Sequence, residues 1–88
     1  MKIKENYALR QIAGTWAVLP LGAATLNFNG ILTLNESGVM LWKLLEQGSD
    51  RASLVEALLA EYEVSAEEAA EDADEFVNKL ATAGCLEL

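Results

Sequence analysis

Eighty-eight residues, 52% of them apolar, suffice for one small folded core and argue against a disordered chain. A single cysteine, Cys85, and the absence of histidine exclude a disulfide framework, a zinc site of the usual kind and any catalytic triad built on imidazole. A formal charge of −8 with only six basic residues weighs against a nucleic-acid surface, which draws its affinity from Lys and Arg set against phosphates. No apolar run approaches the ~18 residues of a membrane span, and the N-terminus lacks the apolar stretch of a secretory signal. The expectation is a soluble cytoplasmic protein, one domain over residues 1–88, with no membrane partner.

Met1 to Asn6 carries no pattern and reads as a loose end. Tyr7–Ile12 and Thr15–Leu21 flank Ala13-Gly14 and read as a hairpin with a tight turn. Pro20 has no amide to donate and belongs at a strand end or on an edge. Gly22-Ala23-Ala24 leads to the stretch Thr25–Leu34, in which Leu26, Phe28, Leu32 and Leu34 share one side of an extended strand. Asn29-Gly30 is also a type I′ hairpin signal, but a turn there would mix polar and apolar side chains on each face. One strand kinked or bulged at Gly30 is the preferred reading.

At Asn35 the period changes from two to that of a helix. The Asn35 side chain can accept from a free amide one turn in, so the strand runs directly into a helix over about Glu36–Gln47. Gly38, Leu41, Trp42 and Leu45 form its stripe, widened by Val39, Met40 and Leu44, and Trp42 reads as a core anchor. Gly48 closes it. Ser49 or Asp50 caps a second helix to about Tyr62, with the stripe Val55, Leu58, Leu59 and Tyr62. Ser65-Ala66-Glu67-Glu68 is a capping box opening the longest helix, to about Ala83, with the stripe Ala66, Ala69, Ala70, Ala73, Phe76, Val77 and Leu80. Gly84 suits the C-terminal cap, and Cys85, folded back on Leu80, reads as a small buried hydrophobe rather than a reactive thiol. Leu86-Glu87-Leu88 either adds a short strand or ends the chain. The order is three short strands, then three helices, without an internal repeat.

Nothing in this pattern supports an enzyme. The carboxylates crowd exposed helical positions, from Glu61 to Glu75, where ordinary ionisation is expected. Glu67 with Glu71, and Glu71 with Glu75, stand one turn apart, but no loop carbonyls or further oxygens complete a cation site. The glycines punctuate turns and form no phosphate loop. No cofactor is expected. Binding remains: the segment Gly30–Leu34 carries neither charge nor proline, the usual guards of a sheet edge. An extended peptide could pair with it, with the alanine-lined face of the last helix as the other wall. A neighbouring strand, or the same strand of a second copy, is the competing occupant.

The run Leu26-Asn27-Phe28-Asn29-Gly30-Ile31-Leu32-Thr33-Leu34-Asn35-Glu36-Ser37-Gly38, followed by Leu41-Trp42-Lys43-Leu44-Leu45, resembles the PqqD-like family (pyrroloquinoline quinone synthesis protein D). Leu9–Gly14 ahead of Val18–Gly22, the segment Leu54–Tyr62, and a last helix ending in Leu80 and Gly84 agree with it, so the similarity covers nearly the whole chain. The resemblance implies an α+β, winged-helix-like fold with a three-stranded antiparallel sheet followed by three helices. It implies a non-catalytic peptide chaperone, a recognition element that binds the leader of a ribosomally made precursor peptide and presents it to a modifying enzyme. That enzyme is commonly a radical SAM protein, and PQQ biosynthesis is one pathway among several. The leader would add as a strand to the third strand and lie against the third helix, which carries over to Ile31, Leu32 and Thr33 on one side and Ala70, Asp74 and Val77 on the other. Two other readings stand beside it. One is a winged-helix nucleic-acid-binding regulator, against which the charge speaks. The other is a homodimer whose strand edges pair or swap, which is compatible with peptide binding.

Overall fold

The computed structural model describes residues 1–22 and 32–87. The elements run β1 (Lys2–Ile3), β2 (Tyr7–Ile12), β3 (Thr15–Pro20), β4 (Leu32–Leu34), α1 (Glu36–Gln47), α2 (Arg51–Glu61), α3 (Ala66–Ala83) and β5 (Leu86–Glu87). The fold is α+β: a three-stranded antiparallel sheet in the order β2-β3-β4, followed by three helices. The expected strand before Leu32, its kink at Gly30 and the Asn29-Gly30 alternative lie outside the described residues.

The β2–β3 hairpin turns through Ala13 and Gly14, both at positive φ (51° and 82°), between the paired Ile12 and Thr15. Two consecutive left-handed residues are what a two-residue turn needs to match the twist of its strands. Gly14 adopts this freely, whereas Ala13 does so against its Cβ. Pro20 ends β3, beyond the three residues that pair with β4, so its missing amide breaks no bond in the β3–β4 ladder.

The chain start is not loose. β1 pairs antiparallel with β5, Lys2 opposite Glu87 and Ile3 opposite Leu86, and the Lys4 amide donates to the Cys85 carbonyl at 2.9 Å. Ile3 is buried in the core. This ribbon was illegible in Met1–Asn6 because one apolar residue has no period and its partner lies at the far end of the chain.

The helix caps form where the side chains call for them. Asn35 Oδ1 accepts from the Gly38 amide at 2.9 Å, and Asp50 Oδ1 from the Ser53 amide at 2.8 Å. The Ser65 hydroxyl accepts from the Glu68 amide at 3.1 Å, and the Glu68 carboxylate lies 3.4 Å from that hydroxyl rather than reaching the Ser65 amide. At the end of α3 the Gly84 amide donates to Ala81 and the Cys85 amide to Leu80, the paired bonds of a left-handed cap.

Val18, Trp42, Leu45, Leu54, Leu80 and Cys85 are the largest fully buried side chains, so the core gathers residues from β3, all three helices and the tail. The α2 stripe differs from expectation: Leu54 and Leu58 are buried, while Leu59 and Tyr62 are exposed. Apolar residues surround this helix, so its sequence admits several phases, and packing against α1 and α3 selects the one through Leu54.

Candidate functional site

Among the described residues β4 is the edge strand, and its register on β3 pairs Trp16 with Leu34, Ala17 with Thr33 and Val18 with Leu32. Leu34 is buried and Leu32 half-buried, while the Thr33 side chain is exposed, the alternation read from the sequence. The Thr33 carbonyl accepts a hydrogen bond from Lys79 Nζ of α3 at 3.1 Å, so it points away from β3. In an antiparallel ladder a residue's amide and carbonyl point to the same side, and successive residues alternate. Thr33 therefore turns both backbone groups toward α3, and Leu32 and Leu34 turn theirs toward β3.

Between this edge and α3 lies a cleft of about 540 Å³. Its apolar lining is Leu34, Leu41, Leu58 and Phe76, and its polar rim includes Asn35, Asp72, Glu75 and Lys79. The α3 residues recur at i, i+3, i+4 and i+7, one face of a helix. Asn35 is held at the mouth by its capping bond and by the Ser37 hydroxyl, which donates to Oδ1 at 3.0 Å.

The expected site residues divide. Leu32 and Thr33 stand on the edge, and Ile31 lies outside the described residues. Ala70, Asp74 and Val77 are not brought to the cleft. At about 100° per residue they sit beyond the buried stripe of Ala69, Ala73, Phe76 and Leu80, on the flank of α3 that faces away from β4. Asp74 is instead bound to Arg51 of α2, with Nε 2.6 Å and Nη2 3.1 Å from its two carboxylate oxygens. That guanidinium lowers the Asp74 pKa, chiefly through the hydrogen bond.

The alanine stripe does not form the wall either. Ala69 and Ala73 are fully buried, used in the packing of the core. The residues missed from sequence are Asp72, Glu75, Phe76 and Lys79. One signal pointed to them: Lys79 is the single basic residue of a helix crowded with acids.

Cys85 is buried beside β1, and burial pushes its thiol pKa up to about 11, against the opposing pull of Lys4. It is an inert thiol far above the range of a nucleophile. No group of His, Cys, Asp or Glu among the described residues could hold a metal ion. No helix among them is long and apolar enough to cross a membrane.

Among the described residues, then, the class of the fold is α+β, with the β4 edge of a three-stranded sheet facing α3 across a cleft. The family model for coenzyme PQQ synthesis protein D (PqqD) matches residues 16–86, and the chain belongs to that family. Among solved structures it is similar to TbiB1 in complex with the TbiA(β) leader peptide, at 29% identity and a TM-score of 0.77, covering 99% of this chain and 95% of that one. It is also similar in fold to lasso peptide synthetase B1 complexed with the leader peptide, at 21% identity and a TM-score of 0.74, covering 96% and 93%. A search of curated proteins finds no match.

Proposed function

We propose that this protein is a non-catalytic adaptor that takes the leader of a ribosomally made precursor peptide as an added strand on β4 and presents it to a modifying enzyme. The observation that carries the reading is the outward-turned backbone of Thr33 on an edge that faces α3 across a cleft. Membership of the PqqD family supports it, as do two similar structures that each hold a leader peptide. The family points to a radical SAM partner and PQQ synthesis, and the second neighbour points to a lasso peptide synthetase. What they share is a leader, and the leader is the substrate class proposed here.

Magnitudes assign the work within the site. Thr33 offers one amide and one carbonyl, each worth about 0.5–1.5 kcal/mol net. Micromolar affinity requires about 8 kcal/mol. Strand pairing at Thr33 therefore sets register. Leu34, Leu41 and Phe76 are already buried and form a floor, so most of the affinity must come from apolar surface that the guest's own side chains bury on entering the cleft, at about 25 cal/mol per Å².

Thr33→Pro tests the reading directly. It removes the outward amide and leaves the ladder to β3 intact, because Thr33 does not donate to that strand. Fluorescence anisotropy with a labelled synthetic leader peptide should show roughly two- to tenfold weaker binding, with an unchanged circular dichroism spectrum. Equal affinity for the variant would remove Thr33 from the interface and with it this mode of capture.

A further inference from the structure

We propose that Lys79 is a latch on the strand edge: its ammonium occupies the Thr33 carbonyl, and a guest strand binds only by displacing it. The inference rests on the strand-addition reading above and deepens it, adding a residue that regulates entry to the site. It starts from one contact, Lys79 Nζ to Thr33 O at 3.1 Å, spanning 46 positions in the sequence.

That carbonyl is the acceptor on which an incoming strand must place an amide. An edge acceptor has two lone pairs, but a second strand needs the one lying in the plane of the sheet, about 4.8 Å from its neighbour. The lysyl stem crosses the gap between α3 and β4, the same space the guest backbone would fill. A side chain and a strand cannot both hold that line.

Lysine is a common guard of edge strands, but it usually extends from the edge itself. Here it comes from the opposite wall, so swinging the side chain aside opens the edge without altering β4. The displaced ammonium has a place to go. Glu75 lies one turn toward the N-terminus of α3 and lines the same cleft, and Glu followed by Lys at i+4 is the favourable order for a helical ion pair. Lys79 thus exchanges a carbonyl for a carboxylate, and the barrier to entry is modest. The latch sets a threshold: a segment that makes only the backbone bonds gains little over the lysine, whereas one that also fills the cleft displaces it. The displacement cost is common to every guest, so it lowers all affinities by one factor and keeps segments with only backbone bonds below the threshold of binding.

The test compares wild type with Lys79→Met, which keeps the apolar stem and removes the charge. Lys43→Met is the control: Lys43, on α1, undergoes the same charge change but sits over the Trp16 ring of β3 and not on the Thr33 carbonyl. Two readouts are taken. Without peptide, the backbone carbonyl carbon of Thr33 should shift upfield in Lys79→Met and stay in place in Lys43→Met. With the labelled leader of the neighbouring precursor, Lys79→Met should bind roughly three- to tenfold more tightly than either wild type or the control, as expected when a charge-assisted bond no longer has to be broken. A Thr33 carbon signal indifferent to Lys79, or a Lys79→Met affinity equal to or below wild type, overturns the latch. If wild type itself fails to bind the leader, the strand-addition reading falls, and the peptide-free carbon shift still reports separately on the contact.

Discussion

Gly38 shows how tightly the start of α1 is seated. A Cβ there would lie 3.2 Å from Asn35 Oδ1, 3.3 Å from Leu34 Cβ and 3.3 Å from Phe76 Cε1. Helix propensity alone favours alanine over glycine by about 1 kcal/mol. Crowding three neighbours at once, two of them part of the cleft floor, costs about 1–3 kcal/mol. Gly38→Ala is therefore expected to destabilise by about 1 kcal/mol in urea unfolding, the reverse of the propensity rule, and a stabilised variant would show that the floor yields. Cys85 gives a residue-scale prediction in pH. Its folded pKa is raised from 9.0 to about 11 by burial, so the neutral thiol is favoured in the fold. The stability it confers is fully present below pH 9 and is lost as pH rises toward 11, because the unfolded chain releases the proton first. The stability gap between wild type and Cys85→Ala should narrow over that window, and a gap constant from pH 8 to 11 would contradict the assignment.

At the scale of elements, what could be read in the sequence was local. The hairpin at Ala13-Gly14, the caps at Asn35, Asp50 and Ser65, and the end of α3 at Gly84 each depend on residues within a turn of one another, and all formed. A strand at Leu86–Leu88 was one of two readings, but its pairing with β1 was not legible, since Ile3 and Leu86 stand at opposite ends of the chain. Ile3→Ala is expected to cost about 2–4 kcal/mol in urea unfolding, as for a core isoleucine, whereas a loose end would cost nothing measurable. The site was legible as a pair of elements but not as a set of side chains. Leu32 and Thr33 came with the resemblance, which assigns the third strand, and the structure places both on β4. The face of α3 was not legible, because Ala70 and Val77 look as apolar as Ala73 and Phe76 in a one-dimensional stripe. Only the packing of α3, which buries Ala69, Ala73, Phe76 and Leu80, turns Asp72, Glu75 and Lys79 toward β4.

Across the whole molecule, charge and topology act together. Six of the chain's fourteen acids lie on α3, and two of them, Asp72 and Glu75, rim the cleft. A phosphate backbone would be repelled from that opening, whereas a neutral or basic peptide would not be. The same three-strand, three-helix architecture that other proteins could turn toward DNA is thus suited here to a polypeptide guest. The helices fix α3 at a distance from β4 that Lys79 can bridge, and the core beneath, closed by Trp42 and Leu80, holds both walls in place.

The most direct measurement is a titration of ¹⁵N-labelled protein with the synthetic leader of the precursor encoded beside it, followed amide by amide. Saturable shifts are expected, centred on Leu32 to Leu34 and on Asp72 to Lys79, with the Thr33 amide moving downfield as it donates to the guest. Shifts confined to the Ala70–Asp74–Val77 flank, with Thr33 unmoved at saturation, would contradict it.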